Sequence, residues 1–147
     1  MQILFIALGL TIIAGLGFYA GKLLFQLKQQ NERQQQARQT RIDNITQSIQ
    51  TIAMAMEQQQ CDFSEGAIRI CNLLAAIPVI PQPDYPAMYP RIHQLYKEIS
   101  HFPTHDARNA LSKAERRKQD RERGQIEANH ESAILKELQE LRQIEPY

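Results

Sequence analysis

The residues of this 147-residue chain with the widest chemical range are Cys61, Cys71, His93, His101 and His105. Thiolates and imidazoles are the usual ligands of zinc, and a structural site gathers them in pairs about two to four residues apart. The spacing here is wrong for that. The cysteines stand ten positions apart, and His101 and His105 flank Pro103, which breaks the helical face that would align them. A Cys nucleophile with a His base is the other chemistry on offer. Cys61 lies at the expected start of a helix, whose dipole favours thiolate, but the neighbouring Asp62 carboxylate opposes it. No nucleophile signature or glycine turn for an oxyanion accompanies either cysteine. Four of the six glycines fall within the first 21 residues, and no phosphate-binding Gly-Lys-Ser/Thr pattern occurs. The sequence therefore assigns no catalytic residue, no metal ligand and no cofactor. The expectation is a non-enzymatic protein, with a Cys/His-dependent enzyme or metal/redox sensor as the alternative.

Any such group needs elements to position it, and the charge distribution divides the chain. The formal net charge is only +1, yet no ionisable side chain other than Tyr19 precedes Lys22. Ile3 to Gly21 form an apolar run about 28 Å long at the helical rise, close to the roughly 30 Å hydrocarbon core of a bilayer. Leu23, Leu24, Phe25 and Leu27 extend it past Lys22, which can snorkel to the headgroups. The run continues beyond its one small-x-small site and lacks a basic n-region, so the expectation is an anchor, residues 1–27, and not a cleaved signal. Lys22, Lys28, Arg33, Arg38 and Arg41 follow it, opposed only by Glu32. That bias predicts a single-pass protein of a bacterial inner membrane, with its N-terminus out and its C-terminal domain cytoplasmic, where both thiols stay reduced. Gly17-x-x-x-Gly21 and Thr11-x-x-x-Gly15 offer a close helix contact, leaving a homodimer through the span open.

Residues 28–60 read as a glutamine-rich juxtamembrane helix with neither Gly nor Pro. Ile42, Ile45, Ile49, Ile52 and Met56 follow 3-4-3-4 spacing. Such a stripe serves either a homodimeric coiled coil or packing onto the downstream body, and two heptads favour the second.

Residues 61–147 read as a helical cytoplasmic domain. Asp62 with Glu65 forms a capping-box pattern before Ala67, Ile68, Ile70, Cys71, Leu73, Leu74 and Ile77, the expected core helix. Five prolines between Pro78 and Pro90 dictate a rigid loop, and Tyr85 and Tyr89 within it either pack on the body, the favoured reading, or form a polyproline surface for a partner. Ile92, Leu95, Tyr96 and Ile99 make a second stripe. Thr104 or Asp106 is the expected start of a third helix, with Ala107, Ala110, Leu111 and Ala114 as a close-packing face. Ile126, Ala133, Ile134, Leu138 and Leu141 mark the last helix, with a break or kink at Gly124. No strand alternation occurs, so the fold class is all-α: an N-terminal transmembrane helix continuing into the stalk and a small helical bundle.

Two surfaces are candidates for a protein partner: Tyr85 and Tyr89 in the proline loop, and the basic run with Arg116, Arg117, Lys118, Arg121 and Arg123. Residues 108–123 carry seven Lys/Arg against three Asp/Glu, and Arg116–Asp120 and Lys118–Glu122 are expected i,i+4 pairs. The interspersed acids and missing aromatics argue against nucleic acid as the partner. The lipid bilayer and an unidentified protein are the expected partners.

Taken together, the apolar run, the Gln-rich stalk, CDFSEGAIRICNLL at 61–74, YPRIHQLYKEISHFPTHDARNAL at 89–111 and KAERRKQDRER at 113–123 resemble a gammaproteobacterial family of small single-span inner-membrane proteins classed as a domain of unknown function. The resemblance covers most of the chain. It implies an inner-membrane location and a helical cytoplasmic domain, and it carries over no activity, cofactor or catalytic residue.

Overall fold

The computed structural model describes residues 1–103 and 105–146, with the side chain of His105 not described. Six helices and no strand are formed among them: α1 (Gln2–Glu57), α2 (Phe63–Ala76), α3 (Tyr85–Met88), α4 (Pro90–Ile99), α5 (His105–Asn109) and α6 (Lys113–Leu141). The fold class is all-α, as the sequence predicts. The chain divides into two units, Met1–Thr40 and Arg41–Tyr147.

The first unit is the N-terminal part of α1. Its large apolar side chains, from Ile3 to Leu27, are exposed; Phe18, for example, is 79% exposed. An 18-residue window here has a mean hydropathy of 2.3 and no buried residue, so this helix is long and apolar enough to cross a membrane.

The second unit holds the core. The end of α1 contributes Ile42, Ile45, Ile49, Ala53 and Met56, all buried in one apolar cluster with α2, α4 and α6. The 3-4-3-4 stripe thus packs onto the body. α2 adds Ala67, Ile70, Cys71 and Leu74, α4 adds Ile92, Leu95 and Ile99, and α6 adds Ile134, Leu138 and Leu141. Each full burial of such a side chain is worth about 2 kcal/mol, and that is what holds a 10-residue helix such as α4 in place. Met56 lies directly on Gly66, where α2 has no side chain to keep α1 away. Two polar contacts tie the end of α1 to the C-terminal segment: Gln50 Nε2 donates to the Ile144 carbonyl at 2.8 Å, and Arg142 pairs with Glu57 at 2.8 Å.

Several local expectations are corrected. Asp62 is the N-cap of α2, but its side chain makes no capping bond, and Glu65 pairs with Arg69 instead. The capping box forms at Ser112 and Glu115, which start α6. The expected close-packing face is therefore split between two helices: α5 ends at Asn109, and Ala107, Ala110 and Ala114 are exposed. Gly124 neither breaks nor ends α6, which runs through it: a single glycine costs about 1 kcal/mol, and the side chains of Ile134, Leu138 and Leu141 further on are held in the core. Thr104, one of the two expected starts of α5, lies outside the described residues.

Candidate functional site

The Cys/His chemistry is tested first by burial. Cys71 is 5% exposed on α2, with its Sγ 3.9 Å from the Ile92 carbonyl. Burial, then the nearby Glu137 carboxylate, pushes its thiol pKa up to about 12. Such a thiol stays protonated near neutral pH and is a weak nucleophile. The Cys61 thiol is also raised, by burial first and then by Glu65. Both cysteines are free.

The three histidines whose side chains are described serve separate local contacts, and His105, the remaining candidate, lies outside the described side chains. His93 Nδ1 lies 2.9 Å from the Tyr89 carbonyl, so Nδ1 must carry the proton and Nε2 is the acceptor in the neutral ring. His101 stacks on Phe102, their centroids 4.3 Å apart. His130 Nε2 meets Glu98 Oε2 at 3.0 Å, joining α6 to α4. That hydrogen bond, followed by one from Gln94, holds the Glu98 carboxyl below its usual range. The cleft beside the proline loop has a volume of about 350 Å³ and is lined by Cys71, Asn72, Asp84, His93 and Tyr96 among others. Its thiol is the protonated Cys71, so the cleft contains no activated nucleophile.

The partner surface proposed from sequence separates into two parts. Tyr85 and Tyr89 do not belong to it: they are 3% and 6% exposed and form part of the core. On α6 the basic residues divide again. Arg123 is half-buried, its guanidinium 5.4 Å from the centre of the Phe102 ring, and Arg116 is also half-buried. Arg117, Lys118 and Arg121 are exposed. Asp120 binds Arg108 at 2.8 Å, in place of the expected Arg116, and this contact lowers the Asp120 pKa. The Lys118–Glu122 pair forms at 3.9 Å. In the first unit Lys22, Lys28, Arg33 and Arg38 are exposed, as is Arg41 at the start of the second.

Two carboxylates of α6 were not singled out by any local pattern. Glu137, 8% exposed, accepts the N–H of Arg91 at 2.8 Å and of Ile92 at 2.9 Å. Glu127 accepts the N–H of Ser64 at 3.0 Å. Each carboxylate sits at the positive end of another helix, α4 or α2, and satisfies donors that no intrahelical carbonyl reaches. Nothing in their neighbourhood along the chain marks them, since their partners lie 45 to 63 positions away.

No solved structure matches the chain. An uncharacterized protein of Haemophilus influenzae is 37% identical over 135 residues, which cover 92% of this chain and 89% of the relative. Residues 13–141 match the family described as "Protein of unknown function (DUF2489)", and with so much of its length matched the chain belongs to that family.

Proposed function

We propose that this protein is a membrane-tethered helical adaptor, a single-pass protein of the bacterial inner membrane that presents its helical domain to a protein partner in the cytoplasm. One observation carries the reading. An exposed apolar helix without a charge before Lys22 is joined to a body whose core, Ile42 to Ile144, is complete without it. Exposed apolar side chains over such a length are costly in water and match a bilayer. The cations from Lys22 to Arg41 favour the cytoplasmic side for the body. The reading is non-enzymatic, in keeping with the protonated Cys71 thiol. Tethering of this kind raises the concentration of the domain near other membrane proteins.

A reporter fused to the C-terminus tests the topology: activity of a cytoplasm-only reporter is expected, and activity of a periplasm-only reporter would reverse the orientation. Cross-linking in native membranes followed by capture of the chain tests the adaptor role. A reproducible protein partner, lost when residues 41–147 are deleted, is the expected result. Recovery of none across growth conditions would sink it.

A further inference from the structure

The first half of α6 carries a row of cations that the protein itself leaves unused. Lys113, Arg117 and Arg121 are spaced i, i+4, i+8, so they share one side of the helix, with Lys118 beside them. All four are exposed. The segment holds three acids, and each is engaged. Glu115 is bound into the capping box with Ser112, Asp120 is held by Arg108, and Glu122 pairs with Lys118. No carboxylate among the described residues lies within ion-pair reach of Lys113, Arg117 or Arg121. At Gly124, one turn further on, a Cβ would meet no other part of the protein. No Phe, Tyr or Trp occurs between Lys113 and Leu141 to stack a base, and the ring of His130 is mostly buried against Glu98.

We infer that this ridge binds the anionic phospholipid headgroups of a membrane surface. A straight row of unpaired, long, flexible cations complements a plane of phosphates. It has neither the groove that would grip a peptide nor the stacking platform that holds single-stranded nucleic acid. The inference rests on the membrane reading above, because an anchored chain meets headgroups at high effective concentration. Each basic residue near an anionic surface strengthens binding about five-fold, so removing three weakens it about a hundred-fold.

The test uses the full chain in nanodiscs of neutral phosphatidylcholine and in nanodiscs with about one-third phosphatidylglycerol, read by hydrogen exchange. The expected result is slower exchange of the 113–124 amides, several-fold, in the anionic discs alone. High salt and the triple variant K113Q/R117Q/R121Q abolish the protection, while the core amides of 134–141 keep theirs and show that the variant folds. Equal exchange in both lipids overturns the proposal, as does protection that survives the triple variant. Stronger protection of the same amides by RNA added to neutral discs also overturns it, in favour of nucleic acid. Failure of the chain to enter neutral discs at all would count against the membrane anchor, separately from the ridge.

Discussion

Glu137 receives the backbone N–H of Ile92 at 2.9 Å, a hydrogen bond from the first turn of α4 to a buried carboxylate on α6. The same carboxylate takes the Arg91 N–H, and Pro90 has none to offer, so α4 begins with its free donors satisfied by one side chain. Removing that side chain leaves two donors without their partner, that of Ile92 in the buried core and that of Arg91 in a part-buried setting. Glu137→Ala is expected to cost about 2–4 kcal/mol of unfolding free energy. Glu137→Gln keeps one acceptor oxygen and costs less. Urea denaturation of the detergent-solubilised chain, followed by circular dichroism, measures both; equal stability of Glu137→Ala and the parent would show that the contact contributes nothing.

Gly66 makes a second point of close approach. A Cβ placed there overlaps the thioether of Met56, which is fully buried. Gly66→Ala gains about 1 kcal/mol in helix propensity but forces Met56 to repack in a filled core, and a net loss of about 1–2 kcal/mol is expected. Met56→Ala alone leaves a cavity worth about 2–4 kcal/mol. The double variant should lose less than the sum, because the new methyl occupies part of the space Met56 leaves. Strict additivity in a double-mutant cycle would refute the contact.

The parts of this fold legible in sequence are those governed by periodicity. Ile70, Leu74, Ile92, Leu95, Ile134 and Leu138 are all buried, as their spacing predicts. The α1 stripe was legible as apolar but compatible with two partners. Burial of Ile42, Ile49 and Met56 in the body decides between them. What the sequence leaves hidden depends on residues far apart. Glu127 and Glu137 look like ordinary solvated acids of a charged helix until α2 and α4 bring their N-termini to them.

Competition between plausible local partners explains other differences. Asp62-x-x-Glu65 and Ser112-x-x-Glu115 both carry the capping pattern, but at the first site Glu65 pairs with Arg69 and Glu127 satisfies the Ser64 donor, and only the second closes. Asp120 had Arg116 one turn before it and chose Arg108, beyond the helix start. Tyr85 and Tyr89 sit among prolines, where composition is compatible with a partner surface or with packing on the body, and their burial decides for packing.

The two thiols should differ sharply in reactivity. Cys71 is buried and its pKa stands at about 12, whereas Cys61 is partly exposed. With a thiol-reactive dye at neutral pH, one cysteine per chain should label under native conditions, and both after denaturation. Cys61→Ser should abolish the native signal. Native labelling of Cys71 at a comparable rate would mean that α2 opens far more readily than its packing allows.

Acid should weaken the body in a defined direction. A hydrogen bond from Arg108 holds the Asp120 carboxyl below its ordinary value of 3.8, and one from His130, with a second from Gln94, holds Glu98 below 4.5. A carboxyl with a lower pKa folded than unfolded adds stability above the unfolded value and loses it as pH falls through the folded one. The Asp120 and Glu98 contributions are therefore fully present near neutral pH and are lost progressively as pH falls below those ordinary values and through the lower folded ones. Both groups are solvent-accessible, so each effect is modest. Asp120→Asn should lower the urea midpoint near pH 7, and the gap to the parent should close as pH is lowered while both chains remain folded. A gap that stayed constant across that range would mean the Arg108–Asp120 charge pair adds no stability, and that the variant acts through the loss of shape alone.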